Sequence, residues 1–153
     1  MNKKEIAIIL SRLKPLSLPD IRLEQYQTDS EIAAYLAWFA YLNNDVHGKI
    51  VADLGCGNGI LGLASLILTA KKVYFIDVSK KAIEVAKENL AALESEFNVK
   101  FNAEFINEDI AKISIKADTV IQNPPFGVKK EHADRQFLES AMKIANTIYS
   151  IHK

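Results

Sequence analysis

From residue 50 onward the hydrophobic pattern switches repeatedly between short β-branched runs and longer stretches at helical spacing, and that alternation leaves few folds open. Ile50–Leu54 reads as a buried strand, Gly55-Cys56-Gly57-Asn58-Gly59 as a tight turn, and Ile60–Thr69 as an apolar helix. Val73–Val78 is a second strand, after which Ser79 caps a helix running through Leu93 with Ala82, Ile83, Ala86 and Leu90 inward. Ala103–Asn107 and Ala117–Gln122 read as a third and a fourth strand. A helix from about His132 to Ala145 follows, then a fifth strand over Thr147–His152. Strands and helices joined by short loops predict an α/β domain, a parallel sheet covered by helices on both faces. Such sheets bind ligands outside the carboxyl ends of their strands. Gly55–Gly59, Asp77, Asp109 and Asn123 all fall at or just past predicted strand ends, so they should share one cleft.

The first 46 residues read differently. Asn2 caps a helix with Glu5 three residues on, and Ile6, Ile9, Leu10 and Leu13 share a face. Pro15 and Pro19 break it, leaving Leu16–Leu23 as a connector. Thr28 and Glu31 form a capping-box pair for a second helix, whose expected buried face is Ile32, Leu36, Phe39 and Ala40. With 153 residues, 49% hydrophobic and 25% charged, the whole chain is expected to be a single domain, residues 1–46 as N-terminal helices and 47–153 as the α/β core.

Nineteen basic residues balance nineteen acidic ones, so bulk charge announces no nucleic-acid partner; a local patch or a second protein would have to supply the attraction. A lone cysteine excludes an internal disulfide and a cysteine-rich metal site, and fits a reducing cytoplasm. His47, His132 and His152 show no ligand spacing, so no metal is expected. The apolar runs are too short for a signal peptide or a membrane span.

The fourth strand ends abruptly in Asn123-Pro124-Pro125-Phe126. Neither proline can extend a sheet ladder, and the first pushes Asn123 into extended backbone at the mouth of the strand. A side-chain amide oxygen, the Pro124 carbonyl and the Phe126 ring would then converge on a small space. Two acceptors and a ring suit a flat substrate bearing an NH2 group. A Pro-Pro turn with Phe126 as a core plug is the plain structural alternative.

At the other end of the cleft, three glycines in Asp53-Leu54-Gly55-Cys56-Gly57-Asn58-Gly59 allow a sharp turn and close approach of a ligand to backbone. The spacing is not that of a dinucleotide fingerprint, because Ile60 stands where its third glycine would be. A pyrophosphate would be repelled by Asp53, whereas cationic amino and sulfonium groups would be attracted. Asp77, with Val78, ends the second strand where a ribose diol is held in such folds. Asp109, with Ile110, can accept from an adenine amino group, though helix capping serves equally for that acid. Cys56 fits as a small residue in a crowded turn. S-adenosylmethionine is the ligand this combination predicts.

Taken together the chain resembles class I methyltransferases that modify a planar amino nitrogen. It is most similar to the archaeal and eukaryotic adenine-N6 methyltransferases of small-subunit ribosomal RNA. The resemblance rests on Leu23-Glu24-Gln25-Tyr26 with Thr28, Val51–Gly57, Asp77, Asn123–Gly127, and Tyr149-Ser150 with His152-Lys153. It implies a Rossmann-like fold, with Gln25, Tyr26 and Thr28 closing over the methionine end of the cofactor. It also implies a small zinc-binding activator protein as partner. Family members continue with a helix and a hairpin that complete a seven-stranded sheet, and here that hairpin is expected to be missing.

The expected reaction is methyl transfer to the N6 amino group of an adenine in RNA. Asn123 and the Pro124 carbonyl would accept its N–H bonds, and Phe126 would stack the base. Lys129, Lys130 and Arg135 could touch phosphates, although a mixed-charge helix entrance accounts for them as well. Asn-Pro-Pro-Phe alone equally allows a guanine-N2 methyltransferase, and the same acceptors would serve a protein glutamine-N5 methyltransferase. A non-catalytic cofactor-binding subunit is the alternative from another class.

Overall fold

The computed structural model describes residues 1–17, 27–125 and 133–152. Gln25, Tyr26, Phe126, Lys129, Lys130 and His132, all singled out above, lie outside those residues. The elements run α1 (Lys3–Ser11), α2 (Ser30–Leu42), β1 (Ile50–Leu54), α3 (Ile60–Ile67), β2 (Lys72–Asp77), α4 (Lys80–Phe97), β3 (Ala103–Asn107), a 3-10 turn (Ile110–Lys112), β4 (Thr119–Gln122), α5 (Ala133–Ile144) and β5 (Thr147–Ser150). All strand pairs are parallel, in the order β3-β2-β1-β4-β5. This is the parallel sheet expected from the alternation, and it has the Rossmann-like architecture that the resemblance implies. The chain moves outward from β1 to β3 and then returns to lay β4 on the other side of β1, which creates the switch point where such sheets open a cleft.

Each face of the sheet buries its own apolar layer. Val51, Val73, Phe75 and Ile121 pack with residues of α1, α2, α3 and α4, whereas Ala52, Leu54, Ile76 and Val120 pack against Ala141 and Ile144 of α5. The alternation of strand side chains distributes them in this way.

Local signals match their mechanisms at several ends. Asn2 caps α1 by accepting from the Glu5 N–H, and Ser79 caps α4 by accepting from the Ala82 N–H. Helix α4 runs four residues past Leu93 and ends at Asn98, in left-handed backbone at φ 52°.

The second helix departs from expectation twice. Its N-cap is Asp29, whose carboxylate accepts from the Glu31 and Ile32 N–H groups, so Thr28 is left free for another partner. Its inward face is Ala33, Ala34, Ala37 and Ala40, while Ile32 and Phe39 are 51% and 49% exposed. Nearly every residue of this helix is apolar, so periodicity could not choose a face. Packing chose alanine, because small side chains let α2 lie close on α1 and α3.

Close approach also dictates Gly62 on α3. A Cβ at this position would meet the Phe75 ring at 2.3 Å, and Phe75 is fully buried and stacked on Phe105 at 4.8 Å between centroids. Gly62→Ala should therefore destabilise the fold. The alanine gains about 1 kcal/mol in helix propensity against an overpacking cost at or above about 3 kcal/mol. Thermal unfolding should show Tm lower by roughly 2–8 °C; an unchanged or raised Tm would refute the contact.

Candidate active site

The cleft is assembled from strand ends. Leu54 pairs in register with Gln122, so the glycine turn and Asn123 leave the sheet side by side. Gly55, Gly57 and Gly59 take positive φ values of 66°, 55° and 90°, which is the backbone this turn requires. Phe137 of α5 fits against Gly55, where a Cβ would come within 2.8 Å of its ring. Thr28, Asp53, Gly55, Cys56, Gly57 and Asn123, with Leu16, Gln27, Asn58, Ile60 and Leu61, line one small open cleft.

Asp53 is 1% exposed and its Oδ2 accepts the Gly62 N–H at 2.8 Å. Burial pushes this carboxyl up to about 8; the Gly62 hydrogen bond opposes the rise and the negative charge of Asp77 adds to it. Asp77 has a second occupation that the sequence did not reveal. Its Oδ2 accepts from the Gly57 N–H and its Oδ1 from the Ser79 N–H, tying the glycine turn to the start of α4. Burial raises its carboxyl too, against hydrogen bonds from Ser79, Gly57 and Val78. Each oxygen keeps a further lone pair for a ligand. The Cys56 thiol is buried and pushed well above its ordinary value by burial first and then by Asp53 and Asp77, so it is an inert lining group.

Asp109 caps the 3-10 turn through the Ala111 N–H and is exposed, and neither it nor Ile110, Asp77 or Val78 lines this cleft with Asp53 and Asn123. Val78 is 58% exposed beside Asp77. Of the candidate cofactor residues, the structure thus brings Thr28, Asp53, Gly55, Cys56, Gly57 and Asn123 together.

Asn123 donates from Nδ2 to the Thr28 hydroxyl at 2.9 Å, while its Oδ1 is buried without a partner among the described residues. A buried acceptor left open costs free energy, so its retention at a cleft is a functional signal. Pro124 is buried and Pro125 half-buried behind it. Gln122 is fully buried on the opposite side of the strand, donating to the Ser150 hydroxyl, which in turn shares a hydrogen bond with His152 Nε2.

Sequence reasoning missed Asn89. Its side chain accepts the Lys14 N–H and donates to the carbonyls of Lys14 and Asn58, so one buried amide fastens the stretch after α1 and the glycine turn to α4. The available signal was an amide three residues beyond Ala86 on the inward face of α4. Asn107 was missed as well; it donates to the carbonyls of Asp77 and Val78 and holds the end of β2.

Comparison with known proteins follows the geometry. Residues 35–147 match the methyltransferase small domain family. An uncharacterized protein of Methanocaldococcus jannaschii is 40% identical over 99% of this chain and 71% of its own length. The rRNA N(6)-adenosine-methyltransferase METTL5 of Danio rerio is 34% identical over 100% of this chain and 75% of its own. A Pyrococcus horikoshii crystal structure, described as a candidate RNA methyltransferase, superposes with a TM-score of 0.90 at 43% identity, covering 98% of this chain and 72% of that one. With the switch-point cleft, the glycine turn and the open Asn123 acceptor, these likenesses identify the chain as a member of the methyltransferase small domain family, a class I S-adenosylmethionine-dependent methyltransferase.

Proposed function

We propose that this chain transfers a methyl group to the exocyclic N6 of an adenine in small-subunit ribosomal RNA. The observation that carries the reading is the buried Asn123 Oδ1, without a partner among the described residues, at the mouth of β4 beside the glycine turn. The kinship with rRNA adenine-N6 methyltransferases supports the substrate class.

The residues present fit the cofactor. A buried carboxyl at Asp53 suits a cationic amino group, and the backbone at Gly57, where a Cβ would meet only Leu16 at 3.9 Å, admits close approach. Asp77 and Val78 would meet the ribose, Asp109 and Ile110 the adenine, and Gln25, Tyr26 and Thr28 the methionine end. When bound, the cofactor supplies a methyl group on a positively charged sulfur that departs as a neutral thioether.

The chain's own contribution is to hold the amine. The lone pair of an adenine amino nitrogen is delocalised into the ring. Asn123 Oδ1 and the Pro124 carbonyl would each accept one of its N–H bonds, favouring a pyramidal nitrogen with its lone pair directed outward. Phe126 would stack the base, which must leave its helix at a cost of about a few kcal/mol. The nitrogen becomes cationic as it gains the methyl and loses a proton along one of these hydrogen bonds to water. A strong acid or base is not required, so most of the rate comes from positioning, worth up to roughly 7–11 kcal/mol.

The reading includes a small zinc-binding activator protein and a cytoplasmic location. Equal numbers of acidic and basic residues leave room for a second protein in RNA capture. No helix among the described residues is long and apolar enough to cross a membrane. The test is transfer of labelled methyl from S-adenosylmethionine to small-subunit ribosomal RNA, with the RNA then digested to nucleosides. Label in N6-methyladenosine is expected; label in N2-methylguanosine, or only in a protein substrate, would replace the reading.

A further inference from the structure

Among the described residues, a hydrogen bond from the Asn123 Nδ2 to the Thr28 hydroxyl ties the stretch before α2 to Asn123 across 95 positions of sequence. We infer that Thr28 is a positioning residue for Asn123, fixing which end of the carboxamide faces the substrate amine. The inference rests on the assignment of Asn123 as the group that receives that amine.

A primary amide has two ends of opposite character. The oxygen accepts an N–H, whereas the NH2 would confront a substrate amine with like donors. The Thr28 hydroxyl occupies the NH2 end at 2.9 Å, and Oδ1 stays buried without a partner among the described residues. Without that hydroxyl, a half-buried N–H loses its partner, and rotation about χ2 would turn it toward the cleft.

The hydroxyl is itself well held. Thr28 immediately precedes Asp29, whose carboxylate is committed to two N–H groups at the start of α2. Gln27, on its other side, donates to the Leu16 carbonyl. Helix α2 is seated by fully buried alanines, so the position of the hydroxyl is set by the packing of a whole helix. This role is additional to the contact with the methionine end of the cofactor proposed above.

The experiment compares Thr28→Val, Thr28→Ser, Asn123→Ala and the double variant Thr28→Val/Asn123→Ala. Transfer to RNA and cofactor affinity by calorimetry are the readouts. Thr28→Val should lower kcat, measured at saturating cofactor, by about 10–100-fold. Thr28→Ser, which keeps the hydroxyl, should restore most of kcat. In the double variant, loss of the hydroxyl should add nothing to the loss caused by Asn123→Ala, because Thr28 acts through that side chain. An unchanged kcat at saturating cofactor in Thr28→Val would overturn the inference and leave Thr28 as a cofactor contact alone. Additive losses in the double variant, or a serine that fails to rescue, would overturn it as well. Full transfer by Asn123→Ala alone would instead remove the assignment of Asn123 on which the inference rests.

Discussion

Asn123→Ala is expected to lower single-turnover methyl transfer by about 10³-fold or more, while cofactor affinity changes by less than about threefold. The size follows from losing two things together. The substrate amine loses an acceptor that draws its lone pair into line, and the base loses the group that holds it at reacting distance. Folding should survive, because Asn123 sits at the mouth of the cleft and its Oδ1 abandons no partner among the described residues. Quench-flow transfer and calorimetry on the same preparation measure both quantities. Lost cofactor binding would place Asn123 with the cofactor and not with the target nitrogen.

Asp53 carries the second large effect, and it is a dependence on pH. The folded carboxyl titrates at about 8 against an ordinary value of 3.8, chiefly because it is buried. Between about 4 and 8 the folded chain therefore holds a proton that the unfolded chain has released. Stability from this group is highest below the unfolded value and falls as pH rises through that window, by up to about 1.4 kcal/mol per unit. The burial-raised Asp77 adds a trend of the same sign. Tm without cofactor should decline from pH 5 to pH 8, and Asp53→Asn should flatten the decline.

Cofactor binding should run the other way. A cationic amino group against Asp53 favours the carboxylate, so binding releases a proton and tightens as pH rises, by up to about tenfold per unit until near pH 8. Calorimetry in buffers of different ionisation enthalpy reads the released proton directly. Asp53→Asn should lose both the proton release and most of the affinity. A pH-independent affinity in the unmodified chain would separate Asp53 from the cofactor's charge.

Much of this organisation was legible in the residues. The sheet announced itself because β1, β2 and β4 are runs rich in β-branched residues closed by glycine, acid or proline; the glycine turn lines the cleft with Asn123, and Asp77 holds that turn from β2. Helix α2 was legible as a helix but not as a face, since its apolar residues surround it and only close packing selects alanine. Thr28 followed by Glu31 matched a capping box; Asp29 took the cap because its carboxylate reaches two N–H groups at once. Asp77 and Asn89 share a different difficulty. Their backbone partners at Gly57, Lys14 and Asn58 are set by tertiary approach, which no local spacing encodes.

The strand order has a consequence for synthesis of the chain. Residues 51–54 of β1 pair with residues 119–122 of β4, and the cleft exists only once that pairing closes over everything between them. Closure of so long a loop comes after the local β1-α3-β2 units can form. A nascent chain thus has its glycine turn long before it has Asn123 alongside, and capture of the cofactor becomes a readout of completed folding. In refolding experiments, helical circular dichroism should return ahead of cofactor binding, with the delay set by the arrival of β4.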